Sequence, residues 1–238
     1  MIFTSKFRAK TQGFSLVEMA VVIVILGLVL STLLLPLQAQ RNQVFQTQTE
    51  NTLEVARRAL LGFAQAHGRL PCPAIANGIE DPIPVTGICT SQWGFLPAAT
   101  LGIQPTNSNG LAIDGWNNPI RYAISTASSN SFTTVNGMSN TTIAALEPDL
   151  RVCTDSSVTN CSAATYLINN AVAVIFSTGP TAGEGAGGPD EVENLDDNDT
   201  IFVSQTPIST AGNEFDHLLV WISPYVLYNA MIEAGQLH

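Results

Sequence analysis

Three hydrophobicity patterns follow one another along the chain. From Phe14 to Leu37 the residues FSLVEMAVVIVILGLVLSTLLLPL are almost uniformly apolar, with Glu18 as the only charge. A helix rises about 1.5 Å per residue, so this run covers about 36 Å, enough to cross a hydrocarbon core of about 30 Å. Over 38–68 the pattern becomes amphipathic: Phe45, Leu53, Ala56, Leu60, Phe63, Ala64 and His67 recur at steps near 3.6, with Gln, Asn, Thr and Arg between them. Gly68 and Pro71 end that helix. Pro36 removes one helical hydrogen bond and clashes with the preceding turn, which predicts a kink. Arg57 and Arg58 read as charges on the solvated face or against the rest of the chain.

Beyond residue 69 the period shortens. Gly, Pro, Ser, Thr and Asn separate short β-type runs at Ile120–Ser125, Phe132–Val135, Ala171–Ser177, Thr200–Ser204 and Leu218–Ile222. These predict a mainly antiparallel sheet packed on the long helix. A final helix is signalled by Ser223 as cap, Pro224 at its first position and Gly235 as stop, with Val226, Leu227, Ala230, Met231 and Ala234 on one face.

Composition sharpens this picture. Charged residues make up 12% of the 238 and apolar ones 45%, with a mean hydropathy of +0.22, which excludes disorder for the chain as a whole. Nine bases against nineteen acids give −10, the wrong sign for a nucleic-acid partner. Both lysines, Lys6 and Lys10, flank Arg8 in the first ten residues, so residues 14–238 carry 6 − 19 = −13. Lysine-dependent chemistry beyond residue 13 is therefore excluded: Schiff bases, Walker-type phosphate loops and Ser/Lys hydrolysis.

The basic leader predicts a cytoplasmic N-terminus and an external remainder. An ordinary secretory signal has a shorter apolar stretch followed by a small-residue cleavage site. Here the small residue, Gly13, stands before the apolar run. An acid near one end of a membrane helix is costly and requires a partner, which marks Glu18 as functional.

Gly13-Phe14-Ser15-Leu16-Val17-Glu18 followed by an apolar helix resembles the processing signal of type IV pilins and type II secretion pseudopilins. The resemblance implies that a prepilin peptidase cuts after Gly13, that Phe14 becomes the N-methylated terminus, and that Glu18 attracts the terminal amine of a neighbouring subunit during assembly. It implies an α+β, pilin-like fold in which a long N-terminal helix packs on a mainly antiparallel β-sheet head. The corresponding divisions are a cytoplasmic leader (1–13), a transmembrane or filament-core helix (14–37), its amphipathic continuation (38–68) and a periplasmic or extracellular head (69–238). The implied partners are other pilin or pseudopilin subunits, the peptidase and an inner-membrane assembly platform. The alternative class is a signal-anchored periplasmic enzyme or binding protein.

A second patch, Asp114-Gly115-Trp116-Asn117-Asn118-Pro119-Ile120-Arg121-Tyr122, resembles the D-x-W-G-N-P-x-x-Y stretch of major pseudopilins, with Asn117 in place of glycine. Its expected physics is an Asx-type turn, a proline that sets the start of a strand, and Trp116 as a core anchor.

Cys72, Cys89, Cys153 and Cys161 all lie on the expected outer side, where disulfides persist. Of the three possible connectivities, sequential pairing closes two local loops. Residues 177–200 hold seven acids: Glu184, Asp190, Glu191, Glu193, Asp196, Asp197 and Asp199. Clustered carboxylates among Gly-rich turns suit Ca²⁺, and the segment resembles the calcium loop of major pseudopilins, with Asp190, Asp196, Asp197 and Asp199 as ligands. The same residues also fit a solvated acidic loop. No other cofactor is expected and no catalytic residue is assigned. There is no G-x-S-x-G elbow, and the histidines are His67, His217 and His238. Asp216 and His217 are adjacent at an expected strand start, where neighbouring side chains point to opposite faces.

Overall fold

The computed structural model describes residues 13–82, 88–155, 161, 165–182, 187–197 and 199–237, with 32–39 described by backbone alone. Lys6, Arg8, Lys10 and Glu184 lie outside the described residues, as does the side chain of Pro36 and with it the expected kink. The described elements are α1 (Leu16–His67), β1 (Trp93–Phe95), α2 (Ala98–Leu101), β2 (Arg121–Ile124), α3 (Ala127–Asn130), a 3-10 turn (Ile143–Ala145), β3 (Leu150–Cys153), β4 (Tyr166–Ala171), β5 (Ala173–Ser177), α4 (Pro189–Leu195), β6 (Ile201–Val203), β7 (Leu218–Ile222) and α5 (Pro224–Glu233). Two compact units are described separately, one ending at Val44 and the other running from Phe45 to His238.

In the first unit every described side chain is exposed from Phe14 to Ser31, including Leu16 at 90% and Leu28 at 64%. Among the described residues no helix is long and apolar enough to cross a membrane, the side chains of the apolar run being described only as far as Ser31.

The second unit is built in three layers. Sheet β1-β2-β5-β7 is antiparallel throughout, with Tyr122 opposite Ile175 and Ile175 opposite Val220. Alternation along β2 sends Tyr122 and Ile124 to one face and Arg121 and Ala123 to the other. The first face meets the α1 stripe Leu53, Ala56, Leu60 and Ala64 in one buried cluster with Ile120, Ile175 and Ile222. The opposite face, through Ala123, Val174 and Phe176, packs on Leu150, Val152 and Phe202 of the second sheet, β4-β3-β6. That second sheet pairs β3 antiparallel to β4 and parallel to β6. Because both faces of the first sheet are covered, β5 is buried at every position, which explains its unbroken apolar run.

The expected α+β architecture is present. Runs expected near β2, β5, β6, β7 and α5 form there, and the Ser223 side chain accepts from Val226 N at the start of α5. The expected face of α5 needs correction: Leu227, Tyr228 and Met231 are buried, whereas Val226 is exposed. Phe132–Val135 is not a strand. It lies in consecutive turns between Asn130 (φ 63°) and Asn136 (φ 57°), and Phe132 serves instead as a fully buried anchor.

Sequential disulfides join Cys72 to Cys89 and Cys153 to Cys161, with Cα separations of 5.4 and 6.0 Å. Beside the first, Arg69 and Glu80 form a buried two-pronged pair at 2.7 and 2.9 Å, and Glu80 also accepts from Cys72 N. Arg57 pairs with Glu54 one turn away on α1.

Candidate functional site

The N-terminal motif places its polar groups within one turn. Residues 13–15 are non-helical and exposed, and α1 begins at Leu16. The Gly13–Phe14 bond thus precedes the first hydrogen-bonded turn, on backbone that an enzyme can engage, and a Cβ at Gly13 would meet nothing within 4 Å. Ser15 caps the helix, its Oγ accepting from Val17 N at 3.2 Å, while Glu18 Oε2 accepts from Ser15 N at 3.0 Å. This reciprocal capping satisfies helix-end donors that have no intrahelical partner. Ser-x-x-Glu is its sequence signature, which the reading of Glu18 as an unpartnered acid overlooked. The carboxylate is therefore held at the helix N-terminus, next to where cleavage after Gly13 would create an α-amino group.

In the head, the nonapeptide turn organises one end of the central sheet. Asp114 Oδ1 accepts from Trp116 N (2.9 Å) and Asn118 N (2.8 Å), the expected Asx turn. Asp114 Oδ2 accepts from Ser177 Oγ at the end of β5 (2.5 Å). Asn117 has φ 72°, the left-handed conformation that asparagine tolerates better than most residues, which accounts for its standing where glycine is usual. A Cβ at Gly115 would collide with the Phe45 backbone, and Thr49 Oγ1 accepts from Gly115 N at 2.9 Å, so this turn rests directly on α1. Trp116 packs edge-on to Phe45 at 6.2 Å and is only partly buried, an anchor against the helix rather than within the sheet core.

Beside this turn stands a cluster that was not foreseen. Ligand atoms of Glu191, Asp216 and His217 lie within 4.8 Å of one another. The expectation that Asp216 and His217 diverge fails because β7 starts only at Leu218, so strand alternation does not govern the pair. Glu191 comes from α4; its Oε1 accepts from Asp216 N at 2.6 Å, and its carboxyl occupies space that a Cβ at Gly187 would fill. Asp216 Oδ2 accepts from Thr181 Oγ1 at 2.7 Å, whereas its Oδ1 is buried without a hydrogen-bond partner.

Asn194 fixes the histidine. Its Oδ1 accepts from Val203 N and its Nδ2 donates to Val203 O, which sets the amide orientation, so Nδ2 also donates to His217 Nδ1 at 3.1 Å. With Nδ1 accepting, the neutral ring carries its proton on Nε2. Burial, and then the nearby Arg121, push His217 down to about 4. A cation at this cluster would therefore be held by the Glu191 and Asp216 carboxylates, with the neutral histidine as a packed neighbour.

Burial pushes Glu191 up to about 7; the Asp216 amide that donates to it works in the opposite direction, and the Asp216 and Glu214 charges add smaller upward contributions. Asp216 is likewise raised, first by burial. Two carboxylates this close repel by about 3 kcal/mol at an effective dielectric of about 20.

The acids expected as ligands make the following contacts. Asp190 Oδ2 accepts from Gln205 Nε2 at 2.6 Å, and Asp199 Oδ1 accepts from Ile201 N at 2.8 Å, where it secures the start of β6. Asp196 terminates α4, and Asp197 is exposed beside it. Three of the expected acids, Asp199, Asp196 and Asp190, lie close enough to Glu193 for their charges to raise it further, after burial; the signal that could have found the Glu191–Asp216 pair was an acid in the Gly-rich segment together with an Asp-His step just before a strand.

A carboxyl whose folded pKa is raised contributes stability below its unfolded pKa and loses it as pH climbs through the folded value. For Glu191 that window runs from about 4.5 to about 7. Glu191→Gln, which keeps the acceptor and gives Asp216 a donor, should stabilise the head by roughly 2 kcal/mol at pH 8 in EGTA and by much less at pH 4.5. Denaturant unfolding of both proteins at the two pH values checks this; an equal effect at both would contradict the charge-repulsion account.

The chain matches no curated protein and no solved structure. One family model does match, that of the prokaryotic N-terminal methylation motif, over residues 8–34. Those residues include the exposed Gly13–Phe14 bond, the capped helix start and Glu18. The chain therefore carries the prepilin cleavage motif of type IV pilins and pseudopilins at its N-terminus.

Proposed function

We propose that this chain is a structural subunit of a type IV pilus or a type II secretion filament, inserted in the inner membrane as a precursor and assembled through its N-terminal helix. The observation that carries the reading is the processing motif placed directly before a helix whose apolar side chains are all exposed as far as Ser31. Such a surface is stable only in lipid or against other helices.

The chemistry follows in order. Hydrolysis of the Gly13–Phe14 bond releases the leader with its three bases and leaves an ammonium at Phe14 beside the Glu18 carboxylate; methylation of that terminus completes the maturation implied by the motif. The leader holds the N-terminus in the cytoplasm until cleavage, and the head faces the periplasm. In the filament the helices of neighbouring subunits replace lipid, and Glu18 of one subunit attracts the Phe14 terminus of the next. The head, carried on α1, is a folded body with a non-catalytic, structural role.

The acidic region of the head holds a structural Ca²⁺ in this reading, with Glu191 and Asp216 as its carboxylates. The buried Asp216 Oδ1 without a partner, and the raised pKa values of both groups, support a cation there. One divalent ion would satisfy that oxygen and cancel the mutual repulsion.

Two measurements test the proposal. Glu18→Gln retains the acceptor for Ser15 N and removes the charge, whereas Glu18→Ala removes both. Both variants should still be cleaved, and both should fall at least tenfold in the sheared filament fraction with an unchanged head. Normal incorporation of Glu18→Gln would show that the charge is not needed. For the ion, millimolar Ca²⁺ should raise the wild-type melting temperature relative to EGTA by several degrees, and Glu191→Gln should lose most of that rise. Superimposable wild-type melts would remove the calcium assignment and leave a solvated acidic segment.

A further inference from the structure

The face of the central sheet that packs on the second sheet contains one cation. Arg121 lies on β2, opposite Phe95 on one side and Phe176 on the other. Its guanidinium sits 4.5 Å from the Phe95 ring centroid, a contact that uses the charge but none of the five N–H donors. Arg57 and Arg69 are ion-paired to Glu54 and Glu80, whereas among the described residues the Arg121 side chain has neither an ion pair nor a hydrogen bond. Burial depresses its pKa, so the desolvation is not offset from within the chain.

Arg121 opens on a cavity of about 140 Å³, shared with Trp93, Phe176, Asn194, Leu195 and Asp197. Trp93 stacks on Phe202 at 4.6 Å, which fixes its ring, and its indole Nε1–H is buried without an acceptor. Asn194 has both amide groups engaged with Val203 and His217 and supplies no free acceptor. Asp197 lines the same cavity, but it is exposed and stands beyond ion-pair distance of Arg121. A guanidinium that makes no hydrogen bond among the described residues thus lines a cavity whose wall includes the Trp93 ring.

We propose that this cavity is a binding site for a single carboxylate group, held by the Arg121 guanidinium, with the Trp93 ring in its wall. The planar fork of an arginine matches the two oxygens of a carboxylate. The cavity suits a small group, and its apolar lining from Phe176 and Leu195 accepts a short hydrocarbon stem. A monoanion fits better than a phosphate dianion, because one cation faces it while Asp197 stands in the wall and the Glu191–Asp216 pair lies near, around His217. The same chemistry has two sources: a free small carboxylate, or an Asp or Glu side chain of another protein chain.

The test uses the full-length chain in detergent micelles with ¹⁵N-labelled tryptophan. Trp93→Phe identifies the Trp93 indole signal, and Trp116 and Trp221 serve as internal controls for folding. Sodium acetate should move the Trp93 signal saturably, with a midpoint on the order of millimolar, and should leave the other two in place. Arg121→Gln should abolish the shift, Arg121→Lys should weaken it severalfold by removing the fork, and Asp197→Asn should strengthen it about twofold or more by removing a like charge. N-acetyl-aspartate methylamide separates the sources: tighter binding than acetate points to a protein side chain, and equal or weaker binding to a small free carboxylate. The proposal is overturned if sodium chloride at equal ionic strength moves the signal as far, if Arg121→Gln with unshifted control signals responds like the wild type, or if neither the wild type nor Asp197→Asn responds by about 100 mM.

Discussion

The head depends on a central sheet that must be covered on both faces. β5 is buried at all five positions, so neither its even nor its odd residues can face water. The C-terminal half of α1 covers one face with Leu53, Ala56, Leu60 and Ala64, and the second sheet covers the other with Leu150, Val152 and Phe202. Removing either layer would expose part of a strand that has no polar side to offer, at a cost of about 25 cal/mol per Å². The helix that follows the N-terminal methylation motif thereby also supplies part of the head's core. The same half of α1 also rests on the Asp114 turn, through the bond from Gly115 N to Thr49 Oγ1.

The polar groups of the head collect where this layering ends. The Asx turn at Asp114 ties Ser177, at the end of β5, to the start of β2; Gly179, two residues on, accepts from Asn118 Nδ2 at 2.7 Å. Asp216 and His217 follow just before β7, and α4 delivers Glu191 to them. Three carboxylates, Asp114, Glu191 and Asp216, are raised in pKa by the same cause, loss of solvent, but they are compensated unequally. Asp114 accepts from three donors, Trp116 N, Asn118 N and Ser177 Oγ, whereas Asp216 keeps one buried oxygen without any. That difference separates a turn rich in donors from a carboxylate pair short of them. Arg121, on β2, presents the opposite imbalance, with donors in excess of acceptors among the described residues.

Much of the architecture was legible in the sequence because it is written in period and punctuation. The period-3.6 stripe of α1 and the Ser223-Pro224 start of α5 produced the helices expected of them, and the sequential cysteine pairs formed the two disulfides. The second sheet was not legible. β4 reads YLINNA, with two asparagines breaking its apolar alternation, and β3 is only four residues long, so their burial comes from pairing with distant segments rather than from local pattern. Phe132–Val135 misled for the converse reason: a β-branched, aromatic run placed between two asparagines with positive φ folds as turns around one buried ring. At the sites, Gly13, Phe14 and Glu18 were readable because the motif is contiguous, while the Glu191–Asp216–His217 grouping joins residues 25 apart through a helix-to-strand contact that only the fold supplies.

At the N-terminus, sequence and structure meet in a few residues: an exposed glycine before the helix, a capped first turn and an acid held over it, followed by apolar side chains with nothing covering them in the single chain. The central claim is that these residues are a processing and assembly device, and the mass of the protein recovered from cells with an active prepilin peptidase tests it most directly. The account predicts a chain that starts at Phe14, lacks residues 1–13 and carries one added methyl group. A chain that retains residues 1–13 under those conditions would contradict it.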